Sequence, residues 1–370
     1  MKTRRLYTSL FTPEMAERIH QVSVEESNRR FMKDEVFETP EIAAEVLHDL
    51  IECYEGTDGP LVYPLFLRDG DVLIGHIEAV PLEDGDWEVG YHIGEDHQGN
   101  GYAQEAVQAF TPVMMKKLNI KEMFGISRAD NPASCRVLEK CGYKLMDESV
   151  RPYQGTPQPV RRYCFTLPEK IVIRREEGKD WFQSEWMVKQ AFYNLHVPGC
   201  NEHLYLHKLR SDPVYIPELA YVAEIDGEVA GGIWYIKSAI DTGHSVEEVI
   251  TFGPLAVRPD CQSLGIGKML LDKTIPLARE LGYKGIIILG EPDYYPRHGF
   301  VTCDRFGITT GDGKNFPAFM GMELIPGGLS GISGKFIEPA VCNELPDEQL
   351  EAYDRLFPAL RKKKQAGQWA

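Results

Sequence analysis

The sequence has no Cys-x-x-Cys pair, no long apolar run and no excess of basic residues, and each absence excludes a class of protein. Eight cysteines in 370 residues, at 53, 135, 141, 164, 200, 261, 303 and 342, are too sparse for a disulfide scaffold. No Cys/His spacing suits zinc, so no metal is expected. No stretch approaches the roughly 18 apolar residues that span a bilayer, and no apolar segment of secretory type follows Met1–Tyr7. The expectation is a cytoplasmic chain with reduced thiols and no membrane partner. Lys plus Arg is 40 against 56 Asp plus Glu, a formal net charge of -16. Residues 1–168 carry 18 basic and 28 acidic side chains (-10), and residues 169–370 carry 22 and 28 (-6). Neither half has the clustered cations that a polyanion requires, which disfavours nucleic acid as a partner.

Hydrophobic residues make up 43% of the chain, enough for substantial cores, and the length suggests two domains. One plan occurs twice. Residues 61–67 (LVYPLFL) and 72–80 (VLIGHIEAV) flank the polar turn Arg68–Asp71, a hairpin signal. Residues 219–225 (LAYVAEI) and 228–236 (EVAGGIWYI) repeat it around Asp226-Gly227. In the first half there follow a strand at 87–93, a polar loop at 94–101, a helix at 102–118 and a strand at 122–127. In the second half the same order is expected at 249–257, 258–265, 266–281 and 285–289. A short helix then leads to Gly142-Tyr143 or Gly299-Phe300. The order implies a mixed α/β domain, largely antiparallel at its start with a parallel crossover later. The Pro- and Gly-rich segment 151–159 is expected to connect to a closing strand at 160–167, with the domain boundary near Pro168-Glu169. The second domain runs about 70 residues past Phe300. That excess includes a Gly-rich stretch at 326–334, which is a lid, an acceptor-binding loop or a surface connection, and a terminal helix at 346–356.

The two loops carry the chemistry. Gln98-Gly99-Asn100-Gly101-Tyr102-Ala103 and Gln262-Ser263-Leu264-Gly265-Ile266-Gly267 both fit Gln-x-x-Gly-x-Gly/Ala, after a strand and at the start of a helix. Backbone N–H groups and the helix dipole at such a position favour an anion, and the small residues allow close approach. Neither loop is a Walker A or a Gly-x-Gly-x-x-Gly sequence. Both halves resemble the GNAT N-acetyltransferases, whose signature loop is Arg/Gln-x-x-Gly-x-Gly/Ala and whose acetyl donor is acetyl-CoA. The first half, with GYHIGEDHQGNGYAQEA, Asn131-Pro132-Ala133-Ser134 and EKCGY, is similar to the branch that acetylates protein N-termini, including ribosomal proteins. The second half, with GPLAVRPDCQSLGIGKMLL and GEPDYYPRHGF, is similar to a bacterial small-substrate or uncharacterised branch.

The resemblance implies two tandem acyl-CoA acyltransferase domains of α/β (α+β) type, 1–168 and 169–370, the latter with a C-terminal extension from about 301. It places the pyrophosphate of acetyl-CoA on the amides of Gln98 to Ala103 and of Gln262 to Gly267. It places the pantetheine along the preceding strands, near His92 and Ile93 and near Ala256 and Val257. Pro254 either marks the bulge usual in that strand or separates two strands. Asn131 and Ser134 read as a helix cap and also as donor contacts, whereas Glu291-Pro292-Asp293 replaces them in the second half. The thiolate-protonating tyrosine falls on Tyr295, and its counterpart in the first half is Leu138. Glu88 and Glu248, on the strands before the loops, are candidate bases. His92, His97 and His298 are expected to be packing or solvated histidines. The leading expectation is acetyl transfer to a primary amine of a small molecule or a peptide N-terminus, with the second domain catalytic. The alternative is an acetyl-CoA sensor or scaffold with one or both domains inactive. A homo-oligomer is compatible with either.

Overall fold

The computed structural model describes residues 1–364 and 368, apart from 55, 57, 154 and 344. The chain divides into two compact units, the first mainly Met1–Leu167 and the second mainly from Pro168 onward.

The first unit contains β1 (Leu6–Thr8), α1 (Ala16–Ser23), α2 (Glu26–Phe31), α3 (Pro40–Cys53), β2 (Leu61–Leu67) and β3 (Leu73–Pro81). It continues with β4 (Trp87–Ile93), α4 (Tyr102–Leu118), β5 (Glu122–Arg128), α5 (Pro132–Lys140), β6 (Lys144–Tyr153) and β7 (Thr156–Thr166). The sheet order is β1-β2-β3-β4-β5-β7-β6, antiparallel throughout except for β4 beside β5. Alternation along β4 sends Trp87, Val89 and Ile93 into a core with Ala106, Val107 and Phe110 of α4. A second core, of Ile19, Ala43 and Leu47 with Val62 and Leu73, seats α1 and α3. The residues of β4 that alternate with the first core set are Glu88, Gly90 and His92.

Residues 151–153 and 156–159 lie in strands, the outer part of the β6–β7 hairpin, with Pro152 opposite Pro157. The prolines are tolerated because β6 is an edge strand and β7 pairs with β5 only from Val160 onward.

The second unit contains β8 (Val172–Arg175), α6 (Trp181–Phe192), α7 (Glu202–Leu209), β9 (Tyr221–Ile225), β10 (Glu228–Asp241), β11 (Val246–Val257) and α8 (Ile266–Glu280). It ends with β12 (Gly285–Leu289), β13 (Val301–Thr302), β14 (Ile308–Thr309), β15 (Phe319–Glu323), β16 (Gly334–Ile337) and α9 (Asp347–Asp354). Its sheet repeats the first plan: β9, β10, β11, β12 and β15 stand as β2, β3, β4, β5 and β7 do, with β11 parallel to β12 as β4 is to β5, and it adds a second parallel pair, β14 beside β16. Both halves are therefore mixed α/β domains with mostly antiparallel sheets. The chain past 301 is not simply an extension, because β13 and β15 complete this sheet. The Gly-rich stretch is anchored too: fully buried Leu329 packs where Gly285 has no side chain, and the Glu323 carboxylate accepts from the Leu329 N–H at 3.0 Å. Among the described residues no helix is long and apolar enough to cross a membrane.

Candidate active sites

Each sheet opens at the parallel pair in its middle, β4 beside β5 and β11 beside β12. β4 and β5 meet only at Glu88 and Phe124, and β11 and β12 only at Ile250 and Ile286. Parallel strands in register share evenly spaced bonds along their length, so pairing that stops after one position leaves β4 from Val89 to Ile93 with an open edge. The corresponding edge of β11 is shaped by a bulge. Ile233 faces Leu255 and Tyr235 faces Phe252, so Gly253 and Pro254, joined by a cis peptide, stand opposite Trp234 alone. Of the two sequence readings of Pro254, this is the bulge within a continuous strand.

The loops sit at the mouths of these openings. In the first, Gly99 (φ 75°) and Gly101 (φ 79°) take left-handed conformations, and nothing lies within 4 Å of where a Gly99 Cβ would be. The Gln98 amide donates to the Ile93 carbonyl at 2.9 Å, and the Asn100 amide donates to the His97 carbonyl at 3.1 Å. The loop is thus held in part by its own side chains, and no side-chain hydrogen bond from its N-cap Gly101 caps α4. Tyr102 is buried and Ala103 packs on the core. Sequence reasoning missed Arg5. Its guanidinium donates to the Asn100 carbonyl at 2.8 Å, pairs with Glu105 at 2.6 Å and stacks over Tyr102 at 4.6 Å. In the second loop Ser263 (φ 65°) and Gly265 (φ 81°) are left-handed, α8 is likewise uncapped, and Ile266 is buried. A Cβ on Gly267 would stand 2.5 Å from the Tyr294 hydroxyl, so that hydroxyl lies against the first turn of α8. Ala256 and Val257 face Gly232 and Gly231 across the β10–β11 pair.

The first site holds a group of ionisable side chains that the sequence only partly revealed. Glu88 has a buried Oε2 with no hydrogen-bond partner among the described residues. Burial, then Glu35 and Asp34, push its carboxyl up to about 7. Glu78 of β3 faces Gly90, and its Oε1 lies 2.2 Å from where a Gly90 Cβ would be. Only a glycine there lets this carboxylate lie across β4, between the positions of Glu88 and His92. Burial, then Glu35, raise Glu78 to about 8. His76 stands directly opposite His92 and 3.0 Å from the Glu35 carboxylate. Burial opposes its charge, but the Glu35 contact outweighs that and raises it. His92 is 7% exposed with Nε2 unpartnered, and burial, then His76, lower it to about 3, so it is neutral. Glu35, His76 and Glu78 bring three ligand-type atoms within 4.8 Å of one another, a grouping no sequence spacing indicated. Gly90 opposite Glu78 was the available signal, legible only once the register of β3 on β4 was known.

On the α4 side of the opening, the Tyr91 hydroxyl meets Ser134 Oγ at 3.0 Å, and Asn131 caps α5 by accepting from the Ser134 N–H at 3.2 Å. Leu138 is buried against Gly125 and offers no proton.

In the second site Tyr295 is half-buried. Its ring lies 5.8 Å from Phe252 beside the bulge and packs where Gly290, at the end of β12, lacks a side chain. Burial, then Tyr294, raise its pKa, and no group among the described residues hydrogen-bonds its hydroxyl. Glu248 does not join it. Its side chain is 58% exposed and 3.8 Å from Lys237, and it precedes Phe252 by four residues, about 13 Å along the strand. It is a surface charge. The His298 ring lies tilted against Tyr294 at 4.7 Å, and burial lowers its pKa.

The comparisons with known proteins agree with the duplication. A family model described as an acetyltransferase (GNAT) domain matches residues 5–144, and another so described matches residues 217–302. The uncharacterized N-acetyltransferase YjhQ of Escherichia coli is 32% identical over 102 residues, 28% of this chain and 52% of its own. The uncharacterized N-acetyltransferase YnaD of Bacillus subtilis is 34% identical over 83 residues, 22% of this chain and 49% of its own. The chain thus spans about half the length of these two curated relatives. The crystal structure of the E. coli GNAT family N-acetyltransferase YhbS, in complex with CoA, aligns at 23% identity and TM-score 0.43 over 49% of this chain and 97% of that one. The chain belongs to the GNAT acetyltransferase family, with one domain of that family in each half.

Proposed function

We propose that the chain is an N-acetyltransferase that moves an acetyl group from acetyl-CoA to a primary amine of a small molecule or a peptide N-terminus. The observation that carries this reading is the duplicated arrangement of a splayed parallel pair with an uncapped, glycine-turned helix start at its mouth. The N–H groups of Gln98 to Ala103 and of Gln262 to Gly267 suit a pyrophosphate. The open edges of β4 and β11 suit a pantetheine laid alongside as an extra strand.

The acceptor nitrogen must lose a proton, attack the thioester carbonyl and form a C–N bond as the C–S bond breaks. Sequence reasoning favoured the second domain for this work because of Tyr295. The site geometry supports the first domain for the deprotonation, because Glu88 lies on β4 with a carboxyl poised near neutrality. We assign the protonation of the leaving thiolate there to the Tyr91–Ser134 hydroxyl pair, which meets at 3.0 Å. In the second domain Tyr295 has that role, and Glu248 is no base. CoA release measured with a thiol reagent tests these roles. Glu88→Gln and Tyr295→Phe are each expected to lower turnover of their own domain by about 100-fold. Stoichiometric acetyl-CoA binding without CoA release for any amine would favour a sensor or scaffold instead.

A further inference from the structure

The acceptor face of the first domain carries more carboxyl groups than one amine needs. Glu35, Glu78 and Glu88 converge there; His76 meets Glu35 at 3.0 Å, and the other nearby cation, Arg162, is held at 2.9 Å by Asp86 and stacked over Phe124 at 3.9 Å. Like carboxylates brought together out of water are costly without a compensating cation. A second observation, independent of the acids, points the same way. His92 is 93% buried by its 7% exposure, is directly opposite His76 with ring centroids 6.0 Å apart, and has an Nε2 with no partner. A neutral imidazole nitrogen left unpaired inside a polar cluster lacks a hydrogen-bonding group to complete it.

Resting on the acetyltransferase reading, we propose that this cluster is a subsite for a second ammonium group, so that the first domain selects amines carrying another positive charge a few bonds from the reacting nitrogen. Glu88 faces the reacting nitrogen. The Glu78 carboxylate, laid over Gly90 and flanked by Glu35 and His92, receives the second cation. Positions 88 and 90 are on one face of β4 and about 7 Å apart, a span that a chain of about four methylenes covers. Gly90 is the specificity device, since any side chain there displaces Glu78.

The test is calorimetric titration of the full chain, saturated with CoA, with 1,4-diaminobutane and with butylamine. The diamine is expected to bind roughly tenfold or more tighter, the worth of one charge-assisted hydrogen bond. Glu78→Gln and Glu35→Gln are each expected to abolish that preference, weakening the diamine roughly tenfold more than butylamine. Two variants guard against one failing to fold. A matched pair of peptides beginning Ala-Lys and Ala-Ala shows whether the second charge comes from a small amine or from a peptide. Equal binding of diamine and butylamine, or equal weakening of both by Glu78→Gln, overturns the proposal. So does tight binding of Mn²⁺ or Zn²⁺ alone that is lost in Glu78→Gln and displaces the diamine, for the cluster is then a metal site. Diamine preference without CoA release sustains the subsite and sinks the transferase reading. Acetylation of butylamine and diamine alike does the reverse.

Discussion

Glu88 shows how much one residue's surroundings decide. A free carboxyl of this type titrates near 4.5, and burial among other acids moves this one to about 7. A general base works only when ionised. First-domain turnover, followed in a Tyr295→Phe background, should therefore rise with pH and level off above about 7. In Glu88→Gln that limb should vanish. The same shift acts on stability with the opposite sense. The fold favours the protonated carboxyl, so its contribution is fully present below about 4.5 and is lost as pH rises through about 7. Glu88→Gln should accordingly melt higher than the parent at pH 8 and equal to it at pH 4. A profile already level at pH 5.5 would show that the carboxyl is solvated and not the base.

At the scale of elements, α9 is held by charge rather than by apolar burial, since none of its own residues is buried. Lys189 of α6, 2% exposed, pairs with Asp354 at 2.6 Å, and His203 of α7 approaches the same oxygen at 2.9 Å. Breaking such a pair leaves a buried ammonium without its counter-charge, so Asp354→Ala should destabilise the second domain by about 3 kcal/mol in a denaturant titration. Changing Lys189 to Met together with Asp354 to Leu should recover most of the loss. No sequence pattern announced this clamp, because Lys189 and Asp354 are joined only by the fold. The hairpins, the two loops and the helices behind them were legible, since their signals are local: apolar runs, Asp-Gly turns and glycines at a helix start. The β6–β7 hairpin was not, because its prolines read as breakers until the strand was known to lie at the sheet edge. Helices α1 to α3 went unread for lack of a motif. They matter because the segment just after α2 supplies Glu35 to the acid cluster. Half the candidate site was legible for the same reason. Glu88 and the loops lie within one continuous stretch, whereas Glu35, Glu78 and His76 reach it across strand register.

For the whole molecule the question is whether two copies of one plan mean two working sites. Both helices start at an uncapped left-handed glycine, Gly101 at φ 79° and Gly265 at φ 81°. A β-branched residue at either position is strained by about 1–3 kcal/mol and must turn the following N–H groups away from an anion. If both loops bind acetyl-CoA, titration of the intact chain gives two sites. Gly101→Val and Gly265→Val each remove one, and the pair removes both. One site in the parent, lost only in Gly265→Val, would make the first domain a non-binding partner. The proposed base Glu88 and the proposed second-ammonium subsite would then have no acetyl donor beside them. One site lost only in Gly101→Val would leave Tyr295 as a packing residue between β11 and β12. Two sites, with CoA release surviving either single loop variant but not both, is the outcome that makes the duplication a pair of enzymes on one chain.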